Sequence, residues 1–165
     1  MSKASPVAVM VAKILKLPAP MHKTALTMLV RKSIKFAGTA KLDILEMSEQ
    51  KVHIKIVNRK IVQNHIGGIH ACAMALLAET ATGFVAGMNI PGDRLPLLKT
   101  MKINYVKRAT GNLEAIANLN PKQIDFIKNN EKGELIVPVT ITDDEGKSPI
   151  EAEMTWAWIP KKRKS

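Results

Sequence analysis

The chain has 165 residues, of which 46% are hydrophobic and 24% charged, a balance that excludes a disordered polyelectrolyte and suits one domain with its own core. Its net charge is +11, which favours polyanionic partners, yet aromatics make up only 4% and no zinc-finger spacing, Walker loop or RNA-recognition signature is present, so nucleic acid is not expected as a partner. A single cysteine excludes an internal disulfide and fits a reducing, cytoplasmic compartment.

Residues 7–16 and 22–35 read as amphipathic helices. Val7, Val11, Ile14 and Leu15 form one stripe, and Leu26, Leu29, Val30 and Ile34 form another. Pro18 and Pro20 punctuate the gap between them. No acid precedes Asp43, whereas Lys3, Lys13, Lys16, Lys23, Arg31, Lys32, Lys35 and Lys41 do, so a membrane-surface contact is one option for this face. From residue 41 the period becomes that of strands, with Val52, Ile54 and Ile56 alternating with a solvent-facing His53 and Lys55.

The stretch 71–87, ACAMALLAETATGFVAG, is apolar nearly all round and is expected to be a buried helix. Residues 66–91 do not read as a membrane span, because His70, Glu79 and several glycines interrupt the run. Gly83 and Gly87 predict close packing on a neighbouring backbone, or the helix end. A loop containing Pro91, Gly92 and Pro96 follows. Strands 100–109 and 112–119 are then joined by Thr110-Gly111. Asn120-Pro121 opens a short helix over 121–130. Residues 134–159 read as a hairpin, with one arm through Leu135, Val137, Val139 and Ile141, a turn at Asp144-Glu145-Gly146, and a return through Ile150 to Trp158. A long antiparallel sheet wrapping the apolar helix makes this α+β.

Between Ile61 and Gly92 the only full charge is Glu79. Asn64 stands six residues before His70, and Glu79 nine after it, in the context Ala78-Glu79-Thr80-Ala81. This pattern, with the strand pair in INYVKRATGNLEAIANL, resembles the hotdog-fold acyl-CoA thioesterases, specifically their phenylacetate-pathway-type branch. The resemblance spans residues 40–159. It implies one hotdog domain over 1–165, with a helical lead-in at 1–40, a core at 41–159 and a basic tail at 160–165. It also implies acyl-CoA as substrate, coenzyme A only as part of that substrate, no cofactor, and dimers that pair into tetramers. The family's His-Gly-Gly is His70-Ala71-Cys72 here, which keeps a backbone donor at Ala71 and narrows the slot at Cys72.

Thioester hydrolysis needs an oxyanion site, an activated water or nucleophile, and an acyl slot. The free N–H groups at the start of the 71–87 helix, Ala71 among them, suit an oxyanion. Gly68 lets backbone approach a ligand closely. Asn64 orients a water or the carbonyl, or is a turn residue only, and His70 donates a hydrogen bond or fixes its loop. Glu79 is the expected general base, with a nucleophilic role as the alternative. Burial should raise its pKa, offset in part by donors such as Thr80, Thr82 or Asn64. Cys72 reads as a small buried hydrophobe. Lys107 and Arg108 are candidate contacts for the coenzyme A phosphates. No metal ligand set is recognisable.

The nine residues from His70 to Glu79 span about 13 Å of helix, too far for both ends to reach one carbonyl. Two antiparallel copies of the helix remove that difficulty, so the spacing favours a dimer with shared sites. Two rivals stand beside the thioesterase. One is a non-catalytic acyl-CoA binder on the same fold. The other is a peripheral protein that holds anionic surfaces through residues 1–41 and the C-terminal Lys/Arg run.

Overall fold

The computed structural model describes residues 4–161. Lys3 and the terminal run Lys162-Arg163-Lys164 lie outside the described residues.

Three helices lead in. Helix α1 (Pro6–Ile14) starts with proline in its first turn, where the missing N–H costs nothing, and Ser5 Oγ accepts from Ala8 N at 3.3 Å. The same hydroxyl donates to Gly87 O at 2.5 Å, which ties α1 to the central helix. Helix α2 (His22–Ser33) buries Leu26 and Val30 and packs on the first strand, while His22 at its start meets Leu17 O through Nε2 at 2.7 Å. The chain breaks at an extended Ile34, so the helix expected over 22–35 ends early and a separate short α3 (Lys35–Thr39) follows.

Strands β1 (Asp43–Met47), β2 (Lys51–Ile56), β4 (Leu113–Asn118) and β6 (Val139–Asp143) form one antiparallel sheet in the order β1-β2-β4-β6. Strands β3 (Arg94–Tyr105), β7 (Ile150–Pro160) and β5 (Gly133–Val137) form the second, in the order β3-β7-β5. Both lean on α4 (Ala71–Asn89), whose inward residues, Leu77, Ala78, Ala81 and Val85 among them, are fully buried. Ile44, Ile54, Leu113, Ile141, Met154 and Trp158 meet it from the sheets in one core. This is the hotdog fold, an α+β arrangement in which strands wrap an apolar helix. Helix α4 is also the one described helix long and apolar enough to cross a membrane, with mean hydropathy 1.4, and its apolar surface is spent on the core.

Four details depart from the expectations. The arm expected as one strand over 134–141 is two. Pro138 has no N–H to continue a ladder, so β5 pairs with β7 and β6 crosses to β4. Strands β3 and β4 are likewise not a hairpin, since they lie in different sheets. Strand β3 runs through Pro96, which the sequence placed in a loop. It lies at the end of its sheet and pairs only with β7, and an edge tolerates the missing donor. It ends at Tyr105 rather than 109, because Val106 N and Lys107 N both turn to Pro149 O, at 3.0 and 3.1 Å.

Packing also differs at α4. A Cβ on Gly83 would sit 2.7 Å from the Trp156 ring, so that glycine makes room for an indole and not for backbone. Helix α5 (Pro121–Asn129) begins with the expected Asn120 cap, and Gln123 bonds back to it in a full capping box. His53 faces out of β2 as expected but is not free, for its Nε2 lies 2.7 Å from Glu114 Oε2.

Candidate active site

The site begins at the loop before α4. Asn64 Oδ1 accepts from Ile66 N at 3.0 Å and from Gly68 N at 3.1 Å, while Asn64 N donates to Gly68 O at 2.8 Å. Of the two expectations for Asn64, the structure shows the turn bonds. Gly68 spends its own N–H and carbonyl on the same turn, so its N–H is already taken. Gly67 takes φ 76°, a left-handed conformation that a side chain would strain.

His70 caps α4. Its Nδ1 accepts from Cys72 N at 3.1 Å, which places the proton of a neutral ring on the exposed Nε2. Ala73 N and Met74 N both donate to His70 O. Among the first-turn amides of α4, Ala71 N is the one without a protein partner among the described residues. That N–H, at the positive end of a 19-residue helix, is where an anion is best received. The Tyr105 hydroxyl donates to Ala71 O at 3.0 Å and fixes this turn against the end of β3.

Lys107 and Arg108, in the loop after β3, line a cleft of ≈ 280 Å³ with Asn64 and Gly68. Arg108 Nη2 reaches Ile66 O at 3.5 Å, so the guanidinium leans on the Asn64 turn. The structure therefore brings four of the candidate residues around one opening.

Glu79 lies elsewhere. It follows Ala71 by eight positions, about 12 Å along α4. Half-buried, it shares with the exposed Cys72 and the half-buried Ala75 the one stripe of the helix that its own sheet leaves open. Cys72 is thus not the buried hydrophobe expected. The helix is apolar on that side too, but no strand of the same chain covers it. Burial pushes the Glu79 carboxyl above the ordinary glutamate value, and a weak bond from Thr80 Oγ1 at 3.4 Å offsets this only in part. Thr80 is buried, and its hydroxyl is turned to that carboxylate. Thr82 does not reach it. Its hydroxyl donates to Ala78 O and Glu79 O and accepts from Trp156 Nε1 at 3.0 Å.

The open stripe of α4 is matched by an open strand. Met101 and Tyr105 of β3 are 43% and 52% exposed, although their register partners on β7, Met154 and Ile150, are buried. Sequence periodicity missed this site element, because an edge strand carries the same alternation as an interior one. Among the described residues no three His, Cys, Asp or Glu side chains gather closely enough to hold a metal ion.

A family model described as a domain of unknown function (DUF4442) matches residues 22–159. The chain belongs to the DUF4442 family. No curated protein matches it in sequence. Among solved structures, this DUF4442 chain is similar to a Pseudomonas aeruginosa protein described as a probable thioesterase, at 22% identity and TM-score 0.76 over 88% of this chain and 97% of that one. It is also similar to a Haemophilus influenzae thioesterase, at 14% identity and TM-score 0.68 over 85% and 92%. A thioesterase from Staphylococcus aureus gives 21% identity and TM-score 0.66 over 77% and 100%. At these identities the likeness is one of fold.

Proposed function

We propose that this DUF4442 protein is an acyl-CoA thioesterase that works as a homodimer, with Glu79 of one chain facing the α4 N-terminus of the other. One observation carries the proposal. A half-buried carboxylate, raised in pKa and without a cationic partner among its perturbing groups, sits on an uncovered stripe of the same helix whose first amide is free. The thioesterase names of the fold neighbours support the reaction class. The Asn64–His70–Glu79 spacing supports a place beside the phenylacetate-pathway-type branch.

In the dimer, β3 pairs along its open edge with a second β3, and the two α4 stripes face each other. Ionised Glu79 removes a proton from water as the water oxygen attacks the thioester carbonyl. The tetrahedral oxyanion is received by the N–H of Ala71 of the partner subunit. The C–S bond then breaks, and the coenzyme A thiolate takes its proton from the Glu79 carboxyl, leaving the free acid and the thiol. Nε2 of His70 of the partner subunit adds a donor beside the carbonyl. Lys107 and Arg108 take the coenzyme A phosphates at the mouth of the Asn64 cleft. The exposed thiol of Cys72 fits a reducing, cytoplasmic setting.

The test is thiol release from short, medium, long and aryl acyl-CoAs by wild type and Glu79→Gln. Turnover that collapses in the variant, with binding of an alkyl-CoA thioether kept, supports the assignment. A folded dimer that binds acyl-CoA and hydrolyses none of the panel is the non-catalytic binder, and the assignment fails.

A further inference from the structure

A second cleft opens at the start of α4, on the side of the helical lead-in. It measures ≈ 180 Å³ and none of its ten lining residues carries a formal charge, in a chain with 25 Lys and Arg. Phe36 of α3 and Ile61 line it although they are 59% and 57% exposed. Two large apolar side chains left in water beside a charge-free groove mark a binding surface. Buried Ala73 and Leu76 line it from the α4 side, and His70 and Cys72 bring it to the first turn of that helix. The groove and the free Ala71 N–H are therefore neighbours.

We infer that this groove is the acyl slot, that the lead-in helix α3 builds its wall, and that it selects acyl groups of medium length, about six carbons beyond the carbonyl. The occupant's identity rests on the thioesterase reading. The length follows from the volume, since a cavity of about 150 Å³ takes the six carbons of benzene and this groove measures ≈ 180 Å³. A carbonyl held at the Ala71 N–H directs its acyl chain past Cys72 into the groove, while the coenzyme A arm leaves toward Lys107 and Arg108. Cys72, where the resembling family carries glycine, then borders the slot at its entrance.

Cys72 is the only thiol of the chain and lines the groove, so it reports on its occupancy. The experiment measures the rate of its alkylation by iodoacetamide in the full-length protein, with alkyl-CoA thioethers from ethyl to dodecyl, which have no carbonyl to hydrolyse, all at one fixed concentration. Ethyl-CoA should leave the rate within about twofold. Protection should grow by up to about fourfold per methylene until hexyl, then level off as the groove fills. Thr39→Trp, on the exposed rim, should abolish the hexyl protection while ethyl-CoA affinity by calorimetry stays constant. Phe36→Ala should weaken it severalfold. Equal protection by every chain length, none at all, or full hexyl protection in Thr39→Trp overturns the inference. Length-graded protection in a protein that hydrolyses no thioester leaves the slot standing and removes only the catalytic reading. Turnover without graded protection does the reverse.

Discussion

Trp156 of β7 and Gly83 of α4 are matched in shape: the indole occupies the space that any side chain at 83 would need, and its Nε1 is held one residue away by Thr82 Oγ1 at 3.0 Å. Both ends of the ring are thereby fixed against the central helix. Gly83→Ala forces a methyl to within 2.7 Å of a ring that cannot swing aside without losing its buried hydrogen bond. The expected cost is about 1–3 kcal/mol, although alanine is the better helix former. Urea unfolding checks it, and a stabilised variant would show that the ring moves freely.

Glu79 makes a prediction with two signs. Its carboxyl is raised in the folded chain by burial, so the folded state keeps that proton to a higher pH than the unfolded chain does. Its contribution to stability is most favourable below the unfolded-state value, and it declines as pH rises to the folded one. Glu79→Gln removes that decline, so the variant should be the more stable protein at neutral pH, with the difference closing on acidification. The same substitution should lower kcat by about 10²–10⁴-fold. Wild-type turnover should rise with pH through a value above the ordinary glutamate range. Thermal melts against pH and a pH–rate profile read both, and a Gln variant less stable at neutral pH would contradict the assignment.

Ala71 allows a clean removal of one donor. It is the first residue of α4, and the His70 before it is extended at φ −65° and ψ 144°, a conformation that accepts a following proline. Ala71→Pro should therefore fold and lose about 10²–10³-fold in kcat with the oxyanion N–H. If Glu79 and Ala71 act from different chains, co-expressing Glu79→Gln with Ala71→Pro on distinct tags should yield a mixed dimer with one intact site. Purified heterodimer with no more activity than either parent would place both groups in one chain's site.

The loop that carries Lys107 and Arg108 is anchored by Asp143. Its Oδ1 accepts from Glu145 N at 3.0 Å and Lys147 N at 2.9 Å, and its Oδ2 from Thr110 N at 3.1 Å. Desolvation pushes this carboxyl up, but those backbone bonds and the Lys147 charge outweigh it, and the net shift is downward. A lowered carboxyl stabilises the fold above its unfolded-state value and loses that contribution as pH falls through the folded one. Asp143→Asn should thus be destabilised at neutral pH and converge with wild type in acid, a trend that denaturant melts across the acid range measure directly.

The central helix was legible because its Ala, Leu and Met run cannot be satisfied on a surface. The α5 cap was legible because Asn-Pro opens a helix by its own chemistry. The partition of residues 133–143 between two sheets was not, since Leu135, Val137, Val139 and Ile141 keep one alternation straight across Pro138. Only the pairing partners, far away in sequence, distinguish the two halves. At the site, the spacing singled out Asn64, His70 and Glu79. It left a turn role and an orienting role open for Asn64, which local bonds resolve toward the turn, and it did not say that Cys72 faces outward, because that depends on which strand of the same chain is absent beside it.

The match to the DUF4442 family begins at residue 22, yet α1 lies before it with Val11 only 1% exposed and Ser5 bound to Gly87 of the central helix. The stretch that the family model covers is thus shorter than the stretch that seals this interior. A chain trimmed to the shared segment would open the C-terminal half of its innermost helix to water. The first turns of this protein act as a plug on its innermost helix.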